Sequence, residues 1–113
     1  MSDANKMIDE MRTQLRQQQS ELQRTLSAVE SVTRNNSVIE KSMQDIKSSG
    51  NNFVWEAVGR TFVKVSIDDY EKQLKNQIRD NIDSINVLNK KKHYLETSIK
   101  ATIDNLKQFV IQQ

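Results

Sequence analysis

The sequence predicts a mainly α protein, a long antiparallel two-helix coiled coil with a single β-hairpin at the connecting tip. Three observations carry this. Two long segments lack Gly and Pro and repeat apolar residues with a seven-residue period. A short stretch between them is rich in β-branched and aromatic residues. The two heptad patterns also match each other when the second segment is folded back along the first. At 113 residues the chain has room for one domain, residues 1–113, with a helix over 3–48, a hairpin over 53–65 and a helix over 67–111.

In the first helix the a positions are Ile8, Leu15, Leu22, Val29, Asn36 and Met43. The d positions are Ala4, Met11, Gln18, Thr25, Val32, Ile39 and Ile46. Only Gln18, Thr25 and Asn36 are polar, and a pattern this long is the signature of a coil. Ser48-Ser49-Gly50-Asn51-Asn52 then stops the helix, with Gly50 suited to the left-handed position that ends many helices.

The central run from Phe53 to Ser66 follows. Gly59-Arg60 fits a two-residue type II′ turn, whose first central residue needs positive φ. That turn sets Val58 opposite Thr61, Glu56 opposite Val63 and Val54 opposite Val65. The other face then carries Trp55, Ala57, Phe62 and Lys64.

Ser66 followed by Asp69 resembles a capping box and opens the second helix. Its a positions are Glu71, Ile78, Ile85, Lys92, Ile99 and Leu106. Its d positions are Ile67, Leu74, Asn81, Leu88, Leu95, Thr102 and Phe109. Antiparallel layers form when a of one helix meets d of the other. A register pairing Ile8 with Phe109, Leu22 with Leu95, Ile39 with Ile78 and Met43 with Leu74 also sets Asn36 against Asn81. A shift of one heptad would separate the asparagines. Such a polar layer fixes register at some expense of stability.

A lone two-stranded hairpin is marginal in water. Here both faces are apolar and both edges are open, which invites pairing with other chains. Val54, Trp55, Val58, Gly59, Phe62, Val63 and Val65 are therefore the candidate assembly site.

Chemistry finds little support. There is no cysteine, and the single histidine, His93, falls at a solvent-facing heptad position. Asp68-Asp69 complements the helix dipole, and neither Gly50 nor Gly59 belongs to a phosphate-cradling motif. No enzyme, metal or cofactor is expected. Lys90-Lys91-Lys92 lacks an aromatic stacking platform and reads as a solvated face rather than a nucleic-acid arm. A net charge of +2, no run of apolar residues able to span a bilayer and an acidic N-terminus predict a soluble intracellular chain without nucleic-acid or membrane partners. The Asn35-Asn36-Ser37 sequon lies inside a helix and is discounted.

The segment Val54-Trp55-Glu56-Ala57-Val58-Gly59-Arg60-Thr61-Phe62-Val63-Lys64-Val65 resembles the hairpin of β-type prefoldin subunits. There an aromatic residue precedes a Val-Gly turn and an apolar strand. Lys91-Lys92-His93-Tyr94-Leu95-Glu96 with Asp104-Asn105-Leu106 is similar to the second helix of the eukaryotic subunit 1 branch of that family. The resemblance covers essentially the whole chain. It implies a cytoplasmic hetero-hexamer of two α-type and four β-type subunits, whose hairpins build a double β-barrel carrying six coiled coils. The coil ends would hold unfolded chains, chiefly actin and tubulin, and pass them without ATP to the cytosolic chaperonin. Met7, Ile8, Met11, Leu106, Phe109, Val110 and Ile111 cluster at the helix ends. The resemblance makes them the candidate client contacts, while Leu26, Ile82 and Ile103 show that apolar residues outside the seam also occur elsewhere. The alternative classes are a tethering coiled coil that oligomerises through its hairpin and a nucleic-acid-binding arm at Lys90 to Lys92.

Overall fold

The computed structural model describes residues 3–111, in the order α1 (Asp3–Ser48), β1 (Phe53–Val58), β2 (Thr61–Ser66) and α2 (Ile67–Ile111). Two long helices thus flank a two-stranded antiparallel hairpin. Every a and d side chain assigned above is buried or half-buried, so the heptads mark the seam along both helices. None of the described residues has a fully buried side chain. Burial is shallow, as expected where each helix offers only a narrow apolar stripe.

The local stops follow from backbone chemistry. At the end of α1, Ser49 N–H donates to the Asp45 carbonyl at 3.1 Å and Ser49 Oγ to that of Ile46 at 2.7 Å. Gly50 then takes φ +72°, where a Cβ would be strained. At the start of α2, Asp69 N–H donates to Ser66 Oγ at 3.2 Å, so Ser66 ends a strand and caps a helix. Ile67 N–H donates to the Asn52 carbonyl at 3.0 Å, tying that start to the loop before β1.

The chain divides into two compact units, Ser31–Ile85 and the two segments Met1–Glu30 with Asn86–Gln113. In the first of these, Ile39 and Leu74 are buried. The Asn81 amide donates to Asn36 Oδ1 at 2.7 Å and to Asn35 Oδ1 at 2.9 Å, using both of its hydrogens. Glu71 occupies an a position, where a carboxylate is out of place. It is accommodated because Lys47 Nζ and Lys75 Nζ lie 2.9 and 3.3 Å from its Oε1.

The asparagine layer yields one expected result. Asn36→Leu alone should cost ~1 kcal/mol by leaving Asn81 short of an acceptor. Asn36→Leu with Asn81→Leu should raise the thermal midpoint, because an apolar layer replaces a polar one, and should loosen the pairing. Thermal melts check the first effect. Disulfide trapping between cysteines placed at 36 and 81 of the otherwise native chain checks the register.

In the other unit Ile8 and Leu95 are buried, and so are two threonines, Thr25 and Thr102. Each threonine satisfies its hydroxyl on its own helix, Thr25 on the Glu21 carbonyl at 2.8 Å and Thr102 on that of Ser98 at 3.0 Å. Thr102, set opposite Leu15 in the register above, turns its hydroxyl to within 3.0 Å of Gln18 Oε1. Lys92, at an a position, is half-buried in this seam, and its neighbour Lys91 reaches Glu21 at 2.6 Å.

Both bridged glutamates titrate below the ordinary value of 4.5, Glu71 because Lys47 and then Lys75 donate to it, Glu21 because Lys91 and then Arg24 do. A carboxylate whose value is lowered on folding stabilises the fold above 4.5 and stops doing so as pH falls through the lowered value. Thermal midpoints of Glu71→Gln and the native chain should therefore differ slightly near neutrality and converge as pH falls below 4.5 and through the lowered value.

Candidate functional site: an uncovered hairpin and two helix ends

The hairpin pairs Phe53 with Ser66, Val54 with Val65, Trp55 with Lys64, Glu56 with Val63, Ala57 with Phe62 and Val58 with Thr61. Alternation then separates two faces. One carries Phe53, Trp55, Ala57, Phe62 and Lys64. The other carries Val54, Glu56, Val58, Thr61, Val63 and Val65. Gly59 has φ +61° and Arg60 does not have positive φ, which fits a type II′ turn and excludes type I′.

Of the residues the sequence assigned to assembly, Val54 and Val65 are half-buried near the helix junctions. Val58 and Val63 are exposed. Trp55 and Phe62 are each 68% exposed, an unusual condition for large aromatic side chains. The sheet has two strands only, so each strand also leaves one row of backbone groups unpaired. Sequence reasoning passed over Phe53, whose ring lies 4.0 Å below Lys64 Nζ on the Trp55 face. Its spacing of two residues from Trp55 was the available signal.

The helix-end residues fall into two groups. Ile8 is 7% exposed, and Met11, Leu106 and Phe109 are half-buried, as members of the seam. Met7, Val110 and Ile111 are exposed, Ile111 by 81%. The same unit shows Tyr94 and Val87 on the surface of α2, seven residues apart and hence on one face. Leu26 and Ile82 are exposed and Ile103 half-buried, so apolar residues off the seam are not confined to the ends.

The remaining candidates do not converge. His93, Asp68 and Asp69 are exposed, and no cluster among the described residues has the ligands to hold a metal ion. Lys91, the middle of the basic run, is engaged by Glu21. Among the described residues no helix is long and apolar enough to cross a membrane.

Comparison with known proteins places this arrangement. The family described as prefoldin subunit matches residues 6–113. Prefoldin subunit 1 of Saccharomyces cerevisiae is 27% identical over 103 residues, which cover 91% of this chain and 94% of that protein. The crystal structure of the prefoldin beta subunit from Thermococcus strain KS-1 superposes with a TM-score of 0.81 at 22% identity, covering 96% of each chain. The superposition spans both long helices and the hairpin between them. By the family match over nearly its full length, this chain belongs to the prefoldin subunit family, whose members are chaperone subunits rather than enzymes.

Proposed function

We propose that this chain is a β-type subunit of a cytoplasmic hetero-hexameric chaperone, assembled through its hairpin with other α-type and β-type prefoldin subunits. The complex holds unfolded proteins of the actin and tubulin class and delivers them to the cytosolic chaperonin. It needs no nucleotide and no cofactor. The observation that carries this reading is the hairpin itself, with Trp55 and Phe62 uncovered on one face, Val58 and Val63 on the other, and both edges unpaired. Such a tip has to be completed by other strands. Membership of the prefoldin subunit family supports other subunits of that family as the source of those strands.

Client holding is assigned to the helix ends, Met7, Ile8, Met11, Leu106, Phe109, Val110 and Ile111. Exposed Met7, Val110 and Ile111 support it, since flexible and apolar side chains suit contact with varied unfolded segments. The test is to isolate the complex through a tag on this chain and add it to actin diluted from denaturant, without nucleotide. Light scattering should fall in proportion to complex added. Undiminished aggregation, or suppression that requires ATP, would refute the chaperone reading. A homodimer in place of a mixed complex would favour a tethering coil.

A further inference from the structure

We infer that Glu56 makes the hairpin select a partner hairpin carrying a cation on the matching face, and disfavours a second copy of this chain. Glu56 can play this part only if the hairpin is the assembly site, as proposed above.

Glu56 lies on the face formed with Val54, Val58, Val63 and Val65, directly opposite Val63. It is half-buried in the lone chain. Its backbone pairs with Val63 in the ladder, but its carboxylate has no hydrogen bond and no ion pair among the described residues. Covering this face with another strand removes water from the carboxylate, and a buried charge without a partner is costly. The covering strand must therefore bring a positive group or leave the charge stranded.

A second copy does not supply one on this face. The hairpin's cations are Arg60 and Lys64. Arg60 sits in the turn, and Lys64 is paired with Trp55 on the opposite face, over the Phe53 ring. When hairpins join edge to edge with the adjoining strands antiparallel, as within the hairpin itself, like faces lie on the same side of the joined sheet, because strand direction and edge reverse together. The Glu56 side of one copy is then continuous with the Glu56 side of the next, and Lys64 lies on the far side of both. Thr61 offers a hydroxyl on the Glu56 face, but no charge. Copies of this chain would thus gather carboxylates on one face, whereas a related hairpin with Lys or Arg there would neutralise them. Like charges brought together exclude wrong partners as effectively as good contacts favour right ones.

Purified full-length chains can test this without knowing the natural partner. The native chain, Glu56→Lys and Glu56→Leu are each titrated alone by native mass spectrometry and sedimentation. The native chain is also mixed 1:1 with Glu56→Lys, which serves as a hairpin of complementary charge. The mixture should associate at a concentration about tenfold lower than either component, and lose that advantage at ~1 M salt. Glu56→Leu should self-associate more readily than the native chain. A mixture no better than its components, with Glu56→Leu equal to native, would overturn the role of Glu56.

Two further arms keep this apart from the assembly reading. If Trp55→Ala with Phe62→Ala prevents incorporation with natural subunits while Glu56→Lys does not, the hairpin assembles and Glu56 is no selector. If the mixture still associates when both components carry the Trp55 and Phe62 changes, the hairpin is not the meeting point and both readings fall.

Discussion

Replacing Trp55 and Phe62 together with alanine should release this chain from its complex while leaving both helices formed. In the lone chain each side chain is 68% exposed, so truncation opens no cavity. Surface changes of that kind usually move stability by no more than about 0.5 kcal/mol. In an assembly the balance reverses. Aromatic anchors at the centre of an interface typically account for about 2 kcal/mol or more each when truncated. Even with imperfect additivity, the pair should weaken association by roughly a thousandfold. Circular dichroism of the isolated variant should match the native spectrum, and gel filtration with partner subunits should show it eluting free. Retention of the double variant in the complex would mean that the strands' open edges alone, or the coil, hold the subunit.

The second large effect concerns the helix ends. Removing residues 1–11 and 106–113 should leave the hairpin's contacts intact, because residues 31–85 form a separate compact unit. Client holding should nevertheless fall several-fold. Each subunit offers only a few apolar side chains there, so retention depends on several subunits acting together, and loss of some contacts weakens avidity disproportionately. Trimming also removes Ile8, which is buried in the seam. A gentler variant therefore accompanies it, with Met7, Val110 and Ile111 changed to Ser, all three exposed. Actin aggregation assays over a concentration series read out both variants. Full holding by complexes trimmed in every subunit would move client binding away from the ends, toward surfaces such as that of Tyr94 and Val87.

Much of the architecture was legible because a heptad is a geometric statement. Seven-residue spacing places a and d on one stripe of any helix, so their burial follows without knowledge of the partner. The hairpin was legible for a similar reason, since Gly59 satisfies a backbone requirement that few residues meet. Positions beside the seam were harder to read. Asn35 joins Asn36 and Asn81 because the Asn81 amide has a second hydrogen to place, and Asn35, at the g position beside the seam, comes within reach. Whether a flanking residue reaches across depends on the rotation of each helix about its axis, which the heptad pattern leaves open. Glu71 shows the same limit. Its carboxylate at an a position is held by Lys47 and Lys75, neither of which belongs to the a and d pattern. The exposed pair Val87 and Tyr94 belongs to a regular helix surface, where apolar residues carry no local signature of purpose.

The central claim is that the uncovered hairpin is completed by hairpins of other subunits. The mass of the native complex, isolated from cells through a tag on this chain and kept intact in the spectrometer, tests it most directly. The account predicts six subunits of more than one kind, and a Trp55→Ala, Phe62→Ala chain recovered without them. A native mass equal to one or two copies of this chain, with no other subunit present, would contradict it.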